Sequence, residues 1–418
     1  MKNHLKHTVL PALLCASVLL SGCGAENISY DDSAAASEKA ASPVALDVVQ
    51  AIQTDALFSD RDLNQSYDAA AAVTISLDGT TASCASDAVS IDGGTITILD
   101  EGVYLLSGTL IDGQVIVNAD DADKVQIVLN HADITSASSA AIYCLNADQV
   151  FLTLAEGTEN ALANGGSFTA IDDNNIDAVV FSKTDLTLNG TGSLTVTSPA
   201  GHGVVSKDEL TVTGGIYTVT AAGHGFTGKD SVAVAGGSFD ITAGKDGIHA
   251  DAAVVIRAGD FSIPDCYEGI EGQSVTIEDG TVNINACDDG INAAGGADGS
   301  GAARGFGKQD LFSADESCFI TINGGTIIIV SDGDSIDSNG SLTVNDGTLD
   351  LTCNGNGNTA IDTNGTYTNN GGSVTTNDGS ESGAGGKGGG MPRGSGKSGK
   401  SGTRPDSASQ TPDANASA

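Results

Sequence analysis

HGVVSKDELTVTGGIYTVT (202–220), HGFTGKDSVAVAGGSFDIT (224–242), DGIHADAAVVIRAGDFSIP (246–264) and EGIEGQSVTIEDGTVNINA (268–286) are successive copies of one unit of about 22 residues. DGIN (289–292), ITINGGTIIIV (320–330) and DSIDSNGSLTVNDGTLDLT (334–352) continue it. The second glycine of the inner turn falls at Gly215, Gly237, Gly259, Gly280, Gly325, Gly347 and Gly372. A fixed period of this size means one supersecondary unit stacked on itself, so like positions become columns of side chains. Short alternating runs such as Ile216-Tyr-Thr-Val-Thr220, joined by Gly-Gly or Asp-Gly, read as strands and turns. Repeated head to tail, equivalent strands pair in parallel. The predicted fold is all-β: a right-handed parallel β-helix with three short strands per coil and coils about 4.8 Å apart. Val204, Phe226, Ile248, Ile270, Ile291, Ile336 and Ile361 form one inward ladder in this reading. The L-x-x-L-x-L signature of a leucine-rich-repeat horseshoe is absent.

Outward from the repeat, the chain divides into parts. Lys2 and Lys6 precede an apolar stretch at 9–20 and then Leu20-Ser21-Gly22-Cys23. This is a secretory signal, too short for a membrane span. The tetrapeptide resembles a bacterial lipobox, which makes Cys23 the lipidated first residue (1–23 signal) and places the protein extracytoplasmically, anchored to the membrane. Residues 24–60 read as a flexible tether, 61–377 as the β-helix and 378–418 as a disordered Gly/Ser-rich tail. Residues 293–317 interrupt the repeat as a Gly-rich insertion directly after DDGIN, with Arg304, Phe306, Lys308 and Phe312. It can fold over the acidic positions, and Arg304, Lys308, Phe306 and Tyr267 are the candidate contacts to a carboxylated ligand. Cys266 and Cys287 sit at matching places one coil apart and read either as a disulfide or as two stacked inward thiols.

The formal charge is −37, from 54 acidic and 17 basic residues. That excludes a nucleic-acid partner, which needs a basic footprint. Aligned on x-Gly-Ile-y, position x runs His202, His224, Asp246, Glu268, Asp289, Asp334, Thr359. Position y runs Val205, Thr227, His249, Glu271, Asn292, Asp337, Asp362, and Asp288 directly precedes an x residue. Carboxylates stacked at one-coil spacing repel unless neutralised. Hard oxygen donors suit Ca²⁺, so Asp246, Glu268, Glu271, Asp288, Asp289, Asn292, Asp334 and Asp337 are the candidate calcium ligands. A single Asp-Gly turn, taken alone, only caps backbone N–H groups. His202 and His224 form a transition-metal site only with a third ligand close by.

The stretches at 94–136, 141–162, 288–296, 333–347 and 360–374 resemble a family of bacterial surface carbohydrate-binding β-helix proteins best known from cellulose-degrading clostridia. The similarity runs from residue 75 to about 390. It implies a fold like that of calcium-dependent pectate lyases, binding of cellulose and acidic, polygalacturonate-like polysaccharides, calcium in the coils, and no lyase activity. It also implies that Asp288, Asp289, Asn292, Asp334 and Asp337 belong to calcium sites. Asp334-Ser335 departs from the family's usual Asp-Gly. The alternatives are a pectate-lyase-type enzyme, for which Lys245 is the candidate base, and a structural adhesin. With aromatics at 4% and no tryptophan, a planar aromatic platform for crystalline cellulose is not expected.

Overall fold

A computed structural model describes residues 57–169, 172–294 and 314–383, all within one unit, Ala51–Ala418. Cys23, Arg304, Phe306 and Lys308 lie outside the described residues.

The described chain is a parallel β-solenoid of about 11 turns averaging ~24 residues. Each turn carries three strands, as in His202–Ser206, Glu209–Val212 and Ile216–Ala221. Each pairs in parallel with its counterpart one turn later: Val204 with Phe226, Leu210 with Val232, Tyr217 with Phe239. The ladder Val204, Phe226, Ile248, Ile270, Ile291, Ile336, Ile361 forms in the expected register, and all seven residues are buried. Alternation explains which residues enter. In Ser238–Ala243, Phe239, Ile241 and Ala243 are buried while Ser238 and Asp240 are exposed.

The core is filled by repetition of like shapes. Phe239 stacks on Phe261 with centroids 4.5 Å apart and on Tyr217 at 5.3 Å, and Phe226 meets Tyr217 and Phe239 edge-on. Stacked turns place equal side chains at one-coil spacing, which is also a favourable aromatic separation. Six of the inner-turn glycines, Gly215, Gly237, Gly259, Gly280, Gly325 and Gly347, have φ between 87° and 138°, a region that other residues rarely adopt.

The ends are closed differently. The first parallel turns are preceded by antiparallel pairs, Val73–Gly79 with Thr81–Ser83 and Val89–Asp92 with Thr95–Ile98. A short helix, Asp60–Leu63, is capped by Ser59. Its buried Asp62 accepts hydrogen bonds from Thr187 Oγ1 (2.6 Å) and Gln149 Nε2 (2.8 Å). At the other end, Asp378 Oδ2 accepts from the Ala360 N–H and Ser380 Oγ from the Ile361 N–H. The ordered fold therefore runs past residue 377, the boundary expected from sequence, because the last turn's amides need partners.

All six described cysteines are free. A register shift between Ile263 and Cys266 pairs Cys266 with Ala286. Cys266 consequently points into the core and Cys287 to solvent. Of the two readings of this pair, neither the disulfide nor the stacked inward thiols is present.

Candidate metal centre and ligand face

The x-Gly-Ile-y motif has a steric origin. A β-carbon at Gly247 would stand 2.8 Å from the Gly269 carbonyl oxygen and 2.9 Å from Ile263 Cδ1, and at Gly225 it would be 2.6 Å from the Gly247 oxygen. Real β-carbons do not approach so closely, so the turn accepts only glycine where the next coil lies tightly against it. At Ser335 the following coil presents Ala360. There the buried serine is accommodated with its hydroxyl 3.0 Å from Ser331 Oγ.

Three columns follow from this turn. Carbonyls of His224, Asp246, Glu268, Asp289 and Asp334 each accept from the N–H of the glycine in the preceding coil, so the x residues stack as expected. Ladder pairing stacks Thr227, His249, Glu271, Asn292, Asp337 and Asp362 in the y column. A third column, one residue before x, brings Lys245, Tyr267, Asp288 and Gly333 together through successive backbone bonds. Several x side chains also cap the next coil. His202 Nδ1 accepts from the His224 N–H (2.9 Å), Asp289 Oδ1 from the Asp334 N–H (2.6 Å), and Asp334 Oδ1 from the Thr359 N–H.

Side-chain geometry divides the acidic positions into two groups. In the first, Asp246, Glu268 and Glu271 are buried, with oxygens within 4.8 Å of one another, and Asn292 Nδ2 donates to Glu268 Oε2 at 3.2 Å. His249 Nδ1 stands 2.5 Å from Glu271 Oε2 and 3.0 Å from Asp246 Oδ2. Burial disfavours the His249 imidazolium, but hydrogen bonds to Asp246 and Glu271 outweigh it and raise its pKa to about 10. Burial likewise disfavours the Asp246 carboxylate, yet bonds from His224 and His249 hold its carboxyl well below the usual range. Burial pushes Glu271 up. With no metal ion bound, the His249 imidazolium therefore serves as this group's cation.

The second group is Asp334, Asp337 and Asp362, again with oxygens within 4.8 Å, beside Asp288 and Asp289. Its titration behaviour is opposite. Burial, then Asp337, Asp288 and Asp334, push Asp289 up to about 8. Burial, with Asp362 and Asp288, pushes Asp334 up to about 6. Among the described residues, no lysine or arginine ion pair reaches Asp289, Asp334 or Asp362. A β-carbon at Gly333 would collide with Asp289 Oδ1 and stand 2.7 Å from Asp288 Oδ1. Glycine there leaves the space between the carboxylates open.

Three contributors were placed in the columns but not among the candidate calcium ligands: Asp362, His249 and His224, the last raised only for a transition-metal site. Asp362 keeps its y-column place although the step from Ile336 to Ile361 is 25 residues, longer than the repeat. Further along the same face, Lys207, Lys229 and Lys245 line one pocket with His202, Thr227, His224, His249 and Asp251.

A family model described as carbohydrate-binding domain-containing protein matches residues 92–357 and, in a second overlapping match, 253–389. A carbohydrate-binding domain-containing protein of Acetivibrio thermocellus is 34% identical over 113 residues, which make up 27% of this chain and 40% of that protein. The chain therefore spans less than half the length of this relative. The solved structure of the polysaccharide lyase-like protein from C. thermocellum, a gadolinium derivative, aligns with a TM-score of 0.43 at 24% identity. That alignment covers 74% of this chain and 98% of the other.

Proposed function

Because the chain belongs to the family of carbohydrate-binding domain-containing proteins, we propose that it is a non-catalytic polysaccharide-binding protein of the cell surface, held by lipid at Cys23. We further propose that it captures acidic polysaccharide through calcium. The observation that carries this reading is the Asp288, Asp289, Asp334, Asp337 and Asp362 group: oxygen donors only, crowded enough to push Asp289 and Asp334 towards the neutral acid. Oxygen donors without thiolate or imidazole are the set Ca²⁺ prefers. When bound, the ion would supply the positive charge to which a uronate carboxylate can attach. The chain's own part is to hold these carboxylates in register, keep the Gly333 side open, and present Tyr267 and Lys245 in the adjoining column for contact with sugar.

A lyase needs its base beside the metal-bound uronate. Lys245 belongs to the Asp246 coil, two coils or about 10 Å from that of Asp289. The separation supports binding over elimination.

Affinity electrophoresis tests both points. In gels containing polygalacturonate, calcium should retard the chain, and chelator should restore its free mobility. No unsaturated, ultraviolet-absorbing product should accumulate. Equal retardation in chelator would refute the calcium bridge, and product lost on Lys245→Ala would establish the enzyme.

A further inference from the structure

His224, Asp246, His249 and Glu271 come from three successive coils; one ligand atom each of His224, Asp246 and His249 lie within 4.8 Å of one another, and Glu271 adjoins His249. His224 Nδ1 lies 2.9 Å from Asp246 Oδ2, which lies 3.0 Å from His249 Nδ1, itself 2.5 Å from Glu271 Oε2. We infer that these four side chains form a binding site for a borderline divalent cation of the Zn²⁺ class, separate from the all-oxygen group.

Three observations support it. First, the protons are over-subscribed. The Asp246 backbone N–H points at His224 Nδ1 (3.3 Å), which uses the lone pair there, while the same nitrogen faces the Asp246 carboxylate at 2.9 Å. His249 Nδ1 likewise has a single hydrogen position and two carboxylates within 3.0 Å. A metal ion shared by His224, Asp246 and His249 relieves this competition. Second, the donor set of two imidazoles and two carboxylates suits Zn²⁺ or Co²⁺ better than Ca²⁺. Ligand atoms around a tetrahedral ion with bonds of about 2.0–2.1 Å lie about 3.3 Å apart, so the contacts of Asp246 Oδ2 with His224 Nδ1 (2.9 Å) and His249 Nδ1 (3.0 Å) need to open by only a few tenths of an ångström. Third, the surroundings are those of a ligated histidine. His249 Nε2 faces Asp251 Oδ1 at 3.4 Å, the carboxylate placement that orients metal-bound imidazoles. His224 is flanked by parallel stacking on His202, with ring centroids 4.8 Å apart. Asp246 and Glu271 are buried, whereas His224 and His249 border the pocket of about 270 Å³ that also holds Asp251, which gives an ion a way in.

Cobalt is the probe, because tetrahedral Co²⁺ absorbs visibly and Ca²⁺ does not. Full-length chain stripped with chelator should take up about one Co²⁺ with intense visible bands. Zn²⁺ should displace it, and a large excess of Ca²⁺ should not. His224→Asn and His249→Asn should each weaken uptake at least about tenfold, whereas Asp334→Asn should leave the bands intact. Wild-type protein that gives no tetrahedral bands would show a cluster held by protons alone and overturn the inference without recourse to any variant. Bands that persist in both histidine variants would equally overturn it. Neither result bears on polysaccharide retention, which depends on the other group.

Discussion

A chain carrying Asp289→Asn and Asp334→Asn should be more stable than the wild type in chelator at pH 8, and less stable than it in excess calcium. The sign follows from the protonation of the two carboxyls. In the folded chain burial and neighbouring carboxylates raise Asp289 to about 8 and Asp334 to about 6, against about 3.9 for an unfolded aspartate. The native state therefore binds more protons than the unfolded state across this interval, and stability falls as pH rises. It is intact below about pH 4 and lost progressively until about pH 8. After discounting for partial solvent screening and coupling between the groups, the loss is about 2–4 kcal/mol. Asparagine removes the repulsion yet keeps an amide oxygen that can still accept the Asp334 and Thr359 N–H groups. Calcium reverses the order, since an ion at a thousand times its Kd stabilises only the wild type, by about 4.1 kcal/mol, which exceeds that loss. Thermal melting of both proteins, with and without calcium at pH 5 and pH 8, reads the crossover directly. A double variant that is less stable under every condition would mean that the carboxylates serve only as backbone caps.

The largest single-residue effect is expected at Phe239. It is buried between Phe261 and Tyr217 and touched edge-on by Phe226, so Phe239→Ala opens a cavity in a core that neighbouring coils cannot collapse into without losing their own register. The expected cost is about 3–5 kcal/mol. Asp240→Ala, on the exposed side of the same strand, should stay within about 0.5 kcal/mol. Chemical denaturation followed by circular dichroism separates the two, and a Phe239→Ala loss below about 1 kcal/mol would contradict the stacked-core account.

Much of this was legible before any coordinates, for a simple reason. Parallel stacking with nearly constant turn length converts a sequence period into a spatial column, so the ladder from Val204 to Ile361 and the x and y columns could be read from spacing alone. Legibility failed where the period did. The register shift between Ile263 and Cys266 turned an apparent cysteine pair into one inward and one outward thiol. Asp362 was placed in the y column, but spacing alone did not show that its carboxylate joins those of Asp334 and Asp337. The split of the acidic positions was hidden for another reason: it depends on side-chain reach. His249 enters between Asp246 of the x column and Glu271 of its own y column, a contact that column membership alone does not specify. The antiparallel pairs and the Asp60–Leu63 helix that close the first turns lie outside the repeat and leave no periodic trace.

Long-wavelength anomalous diffraction from crystals grown in calcium is the most direct test of the central claim. A calcium peak bounded by Asp289, Asp334, Asp337 and Asp362, with Asp288 on its rim, is the predicted result. A map at saturating calcium with no peak among these residues would contradict it.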